Sequence, residues 1–342
     1  MERKEDGILA EFSFDRLSFK YDKYSVILNR VIGRFFIKNN DFKNITGVIL
    51  SDGGSVKKLN RALLGIEPFE LTFIDGKVIA HEPIKITNLI DGKIFEFVYD
   101  LKSNTLKLKS FGKLNKSIVS ELITLGGLDG DLRISLGFNG DVKNYKNNLT
   151  FSVFSNNLQL KTSFFRRPLK FEDLKVDYLK NSLRINIKAK VISHLYGQGH
   201  LSVSGVVDLD KEKHTIKVKL YKLPIRYRSI FVGDVSTNNF NIYIVKDNSK
   251  ENKIGYNFYL KGNIYYSGRL RINKEFQKLF LAERSKEDSG LNRKLEELKK
   301  HIFLDLNIST DNPLTIKGIF GRAMAISSIK VSNTLYSPIL DG

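Results

Sequence analysis

Leu183 to Val191 reads Leu-Arg-Ile-Asn-Ile-Lys-Ala-Lys-Val, and this strict alternation is what most constrains the fold. A β-strand sends successive side chains to opposite faces, so Leu183, Ile185, Ile187, Ala189 and Val191 share one face while Arg184, Asn186, Lys188 and Lys190 share the other. A helix would scatter the same residues around its axis. The period of two returns in Leu106-Lys-Leu108, Ile134-Ser-Leu136, Leu158-Gln-Leu160, Leu201 to Leu209 and Ile216-Lys-Val-Lys-Leu220. Between such runs lie turn formers: Ser51 to Gly54, Asp75-Gly76, Asp91-Gly92, Asn139-Gly140, Asn156-Asn157 and Lys180-Asn181. Asp-Gly and Asn-Gly pairs favour tight hairpins, because both central positions take positive φ. The expectation is an all-β chain of mostly antiparallel strands.

Three segments carry helical spacing instead. Ser55 to Leu64 places Val56, Leu59 and Leu63 on one side, Asn115 to Ile123 places Ile118, Val119, Leu122 and Ile123 together, and Lys274 to Lys300 carries Leu291, Leu295 and Leu298 in a stripe that continues to Ile302. Short helices are expected there, the last as a helical insertion over 274–302.

Little in the chain points to chemistry. It has no cysteine, which excludes disulfides, thiolate metal sites and cysteine nucleophiles. His81, His194, His200, His214 and His301 show no metal-ligand spacing. Gly197-Gln-Gly199 leads into a strand pattern, so no helix N-terminus is available there to hold a phosphate. The reading is of a non-enzyme without cofactor or metal. The first residues have no apolar leader, and no stretch approaches the roughly 18 apolar residues that cross a bilayer. A soluble polypeptide with neither signal peptide nor membrane anchor is therefore expected.

A formal charge of +19 fits an anionic partner, but it also fits a solvated sheet face, since Lys107 and Lys109, and Lys217 and Lys219, stand at alternate positions. Arg166-Arg167, Arg226-Tyr-Arg228 and Tyr265-Tyr266 near Arg269 and Arg271 would suit single-stranded nucleic acid, yet no binding motif accompanies them, and no nucleic acid is expected as partner.

Four phrases, in order, carry a resemblance: Leu128 to Gly140, Tyr196 to Leu209, Leu260 to Ile272, and Leu304-Asp-Leu-Asn-Ile-Ser-Thr-Asp-Asn-Pro-Leu-Thr-Ile-Lys-Gly318. Over 45–329 the chain resembles the TamB family, the translocation and assembly module's inner-membrane subunit, within the AsmA-like group of repeating β-groove proteins. The resemblance implies that 1–342 is one continuous segment of a long curved, mostly antiparallel sheet, an open groove or β-taco lined inside by apolar side chains. Members of that family are normally longer and begin with an anchor in the bacterial inner membrane, so this chain is expected to be a periplasmic piece. The implied function is phospholipid transport between inner and outer membranes, with help in outer-membrane protein assembly or secretion. The implied partners are phospholipid and an outer-membrane barrel protein of the TamA/BamA type.

Alternation selects the groove candidates: Phe151, Val153, Leu158, Leu160, Leu183, Ile185, Ile187, Leu201, Val203, Ile216, Val218 and Leu220. The competing expectation is a closed β-sandwich that covers this face and binds a polyanion such as nucleic acid or lipopolysaccharide.

Overall fold

A computed structural model describes residues 2–4, 7–38, 45–58, 61–115, 126–162, 167–193, 197–227, 231–249, 255–272, 297–318 and 321–342. Strand accounts for 79% of the chain and helix for 4%, which settles the all-β expectation. The strands form one mostly antiparallel sheet, and by contact density the chain divides into two compact units.

The first unit comprises Met1–Leu122, Asp131–Phe154 and Asp177–Asn181. Two 15-residue strands, Gly7–Tyr21 and Tyr24–Lys38, pair across a turn in which Asp22 takes φ +51°. The second of them is partnered by two short strands set end to end: Ile45–Ser51 lies along its later half and Gly54–Lys58 along its earlier half. Two further split rungs follow, Phe69–Ile74 with Arg61–Ile66 and then Lys77–Ile79 with Ile84–Asn88, before the single strand Ile90–Asp100 spans both columns again. A crease separates the columns, and its backbone groups find partners across it. Asp52 N–H donates to Asn29 O (3.1 Å) and Asn29 N–H to Gly53 O (2.9 Å). The buried Ser51 hydroxyl donates to Asn29 O (3.0 Å) and accepts from Gly53 N–H (3.2 Å). Such satisfaction is obligatory for a break inside a sheet. Thr105–Leu114, Arg133–Asp141 and Leu149–Ser155 continue the antiparallel order.

One face of this unit is aromatic. Phe12 stacks on Phe35 (5.6 Å between centroids) and Phe35 meets Phe73 edge to face (4.9 Å). Phe12 lies over Gly33, where a Cβ would stand 2.3 Å from its ring, so the glycine is the space that the ring fills.

The second unit comprises Ile123–Gly130, Ser155–Val176 and Ser182–Gly342. Its antiparallel run is Ser182–Ser193, Gly197–Asp208, Lys213–Tyr221, Phe231–Lys246 and Tyr256–Arg271, with Leu223–Tyr227 sharing Phe231–Lys246. Tyr256–Arg271 then pairs in parallel with Ile302–Thr310 and Leu314–Gly318. Parallel neighbours need a long crossover. The chain leaves one for this pairing, between Arg271 and Ile302. Residues 297–300 at its end are helical. Residues 274–296 of the expected insertion lie outside the described residues, as does the helix expected at Asn115 to Ile123 apart from Asn115, while His301 forms a turn and Ile302 opens the strand Ile302–Thr310.

Several local expectations are corrected. Ser55 to Leu64 is two strands, Gly54–Lys58 and Arg61–Ile66, because Val56 pairs with both Val26 and Leu64 and a lone ten-residue helix gains less than such a ladder. Asp91-Gly92 and Asn139-Gly140 lie inside strands; the nearby reversals use Asn88 (φ +76°) and Val142–Asn148. Asp75-Gly76 (φ +52° and +73°) and Lys180-Asn181 (φ +47° and +57°) form the expected two-residue turns.

Candidate functional site

Paired residues in a sheet point to the same side, so the register shows which apolar residues share a face. In the second unit Ile185 pairs with Gly205, Gly205 with Ile216, Ile216 with Ile242, Ile242 with Leu260, and Leu260 with Leu304. These six strands make one apolar row, about 24 Å long at a strand spacing of about 4.8 Å. A neighbouring row runs Ile187, Val203, Val218. A third runs Ala189, Leu201, Leu220.

The twelve candidates therefore fall into three settings. Leu183, Ile185, Ile187, Val203 and Val218 are half-buried and Ile216 more deeply, with nine per cent exposure. Leu160, Leu201 and Leu220 pack against a small buried cluster of Leu169, Ala189, Val191 and Leu223, and Leu158 is itself buried, at the end of the bend before Gln159–Thr162. Phe151 and Val153 lie in the first unit, paired with Leu136 and Ile134 and half-buried. Alternation thus grouped core-forming side chains with accessible ones.

The row also extends beyond the residues that alternation selects. Ile242, Ile244, Phe258, Leu260, Leu304 and Leu306 stand on the same face. Their signal is masked because a bulge between Asn238 and Asn241 shifts the parity of Phe231–Lys246, and because Tyr256–Arg271 carries rings on both faces. His214, paired with Ile244, belongs to this face too. Its Nδ1 accepts from Asp208 N–H (3.2 Å), and its buried Nε2 has no partner among the described residues.

Accessibility of this face is the physical question. Ile185, Ile187, Val203, Val218, Ile242, Leu260 and Leu304 are half-buried, where the inner faces of a closed sandwich would be covered throughout.

The opposite face is polar, and several of its charges are paired. Glu96 holds Lys107 (2.5 Å) and Lys109 (3.1 Å), and these hydrogen bonds keep its carboxyl below the usual glutamate range. Lys190 does the same for Glu172 (2.6 Å), while Asp305 raises the Lys261 ammonium (3.0 Å). Among the described residues no three His, Cys, Asp or Glu side chains are grouped to hold a metal ion, and no helix is long and apolar enough to cross a membrane.

No protein-family model, curated protein or solved structure matches the chain.

Proposed function

We propose that the half-buried apolar face of the second unit carries lipid, as a conduit segment of an envelope protein that moves phospholipid between inner and outer membranes. The observation that carries this reading is the row Ile185, Gly205, Ile216, Ile242, Leu260, Leu304, apolar on six consecutive strands and interrupted only by a glycine. A bilayer's hydrocarbon core is about 30 Å thick, so one leaflet's chains reach about 15 Å, and a row of about 24 Å is long enough to hold one extended chain. Each methylene buried there gains about 0.8 kcal/mol without a directional bond, so the chain can slide along the row. The order of phrases that resembles the TamB family supports the same reading. It adds a periplasmic setting, an outer-membrane barrel partner and a role in outer-membrane protein assembly to the proposal.

The test is mass spectrometry of organic extracts from the purified, delipidated and re-exposed chain. Stoichiometric phospholipid is expected, lost in Ile185→Asp and in the milder Ile242→Gln and kept in Ser204→Asp, at an exposed position of the opposite face. A folded Ile242→Gln variant that still holds lipid at the original stoichiometry sinks the assignment.

A further inference from the structure

The polar face of the second unit carries a second constructed feature, independent of the apolar rows. In Phe231–Lys246 and Tyr256–Arg271 the register runs from Asn238 opposite Asn263 to Asn241 opposite Lys261, so Asn239 and Phe240 together face Gly262. This bulge is tightly built. Asn239 takes φ +54° and Gly262 φ +148°, and a Cβ at Gly262 would stand 2.6 Å from Phe240 Cα. Bulges re-aim the side chains beside them. Here they border a concavity of about 500 Å³ lined by Asn239, Asn241, Tyr243, Asn263, Asn307 and Lys330, with the Lys261–Asp305 pair in its wall.

The functional groups of this concavity are held in place by one another. Asn307 pairs with Asn263 in register and donates its amide N–H to Asn263 Oδ1 (3.0 Å), which leaves the Asn263 amide protons and the Asn307 carbonyl oxygen unspent among the described residues. Asn241 spends one amide proton on Asn239 O (3.1 Å). Lys261 and Asp305 neutralise each other, whereas Lys330, between Asn307 and Asp341 in register, forms no ion pair among the described residues. Tyr243 presents a ring that is 36% exposed, one row away and paired with Tyr259.

We propose that this concavity binds an acidic saccharide: a hydroxyl-bearing sugar ring with one anionic substituent, phosphate or carboxylate. An amide, like a hydroxyl, donates and accepts at once, so the side chains of Asn241, Asn263 and Asn307 suit a ring of vicinal hydroxyls better than they suit a bare ion. The Tyr243 ring supplies a flat apolar wall for the C–H face of the sugar, and the volume lies within the range of small-molecule sites. Lys330 supplies the cation that no ion pair holds in place, and it selects the acidic substituent.

The experiment is calorimetric or NMR titration of the intact chain with glucose 6-phosphate, glucuronic acid, glucose and inorganic phosphate, repeated on Lys330→Gln, Asn263→Ala and Lys107→Gln. Both acidic sugars are expected to bind saturably and about tenfold more tightly than glucose, consistent with one charge-assisted hydrogen bond. The phosphate and carboxylate arms show which substituent is preferred. Lys330→Gln should erase the preference for acid and leave glucose unaffected. Asn263→Ala should weaken all three sugars about fivefold, and Lys107→Gln should change nothing. Inorganic phosphate binding as tightly as glucose 6-phosphate, an unaltered Lys330→Gln profile, or no saturable sugar binding at millimolar concentration overturns the proposal.

Discussion

The two ends of the strand Ser182–Ser193 carry the same pattern and have different fates. Ala189 and Val191 are each one per cent exposed, whereas Ile187 and Ile185, two and four positions before Ala189 on the same face, are half-buried. The side chains that cover the first pair come from elsewhere: Leu169 and Leu223 join the cluster, with Leu160, Phe171, Leu201 and Leu220 around it. Alternation assigns a side chain to a face. Whether that face is then covered depends on partners that are distant in sequence, and this difference separates core from candidate conduit.

The sharpest way to break the comparison is to put the same charge at both ends. Val191→Asp leaves a carboxylate without a partner in the cluster and should cost about 3–5 kcal/mol, enough to abolish the cooperative melt of this unit. Ile185→Asp keeps water within reach and should retain the far-ultraviolet spectrum of a β protein with a modest fall in Tm. Equal losses at the two positions would mean that the apolar row is covered like the cluster. Leu223→Ala, which removes a side chain that is five per cent exposed, should follow at about 2–4 kcal/mol in urea unfolding.

A second contrast lies between glycines. At Gly233 a Cβ would stand 1.9 Å from the Ser267 carbonyl oxygen, while at Gly127 nothing lies within 4 Å. Gly233→Ala should therefore cost about 1–3 kcal/mol, because backbone must shift. Gly127→Ala should change the midpoint little. A Gly233→Ala variant as stable as the parent would show that the two paired strands separate there without penalty.

These positions also show how far the sequence could be read. The all-β class, the solvated lysine face and the turns at Asp75-Gly76 and Lys180-Asn181 follow from period and turn chemistry, which are local. The strands at Ser55 to Leu64 do not, since Val56 meets Val26 across 30 residues and only that pairing selects strand over helix. Asp91-Gly92 misleads for a similar reason: Gly92 is needed in the ladder, between Ile86 and Gly112, so the reversal moves to Asn88. The groove candidates stop at Leu220 because the Asn238/Asn241 bulge reverses the alternation just beyond, and the asparagines of the polar concavity look like loop residues until the register aligns them.

The crease of the first unit and a strand end of the second offer a finer contrast. In the first, Ser51 both donates to Asn29 O and accepts from Gly53 N–H while buried. In the second, Thr310 accepts from Ser327 N–H (3.1 Å) at the partly exposed end of the paired strands Ile302–Thr310 and Ser328–Thr334. Ser51→Ala should cost about 1–2 kcal/mol, since a buried N–H loses its acceptor, and Thr310→Val less than that, because water can replace the hydroxyl. Comparable shifts in urea midpoint would remove burial as the distinguishing factor.

The smallest effect is expected on the polar face, where Glu96 is held by Lys107 and Lys109. Its carboxyl pKa is depressed in the folded state, first by the Lys107 hydrogen bond and then by that of Lys109. A depressed carboxylate contributes stability that is present above its unfolded pKa and is lost as pH falls through the folded value. Solvent screens these exposed partners, so the contribution at neutral pH is slight. Glu96→Gln should leave Tm at pH 7 nearly unchanged and make the fall in Tm below about pH 4.5 shallower than in the parent. Added salt should narrow the same gap, because it screens the pair that the substitution removes. A Glu96→Gln variant whose acid limb superimposes on the parent's at low salt would show that the two lysines gain nothing from the carboxylate, and that the polar face, unlike the apolar one, is set by solvation alone.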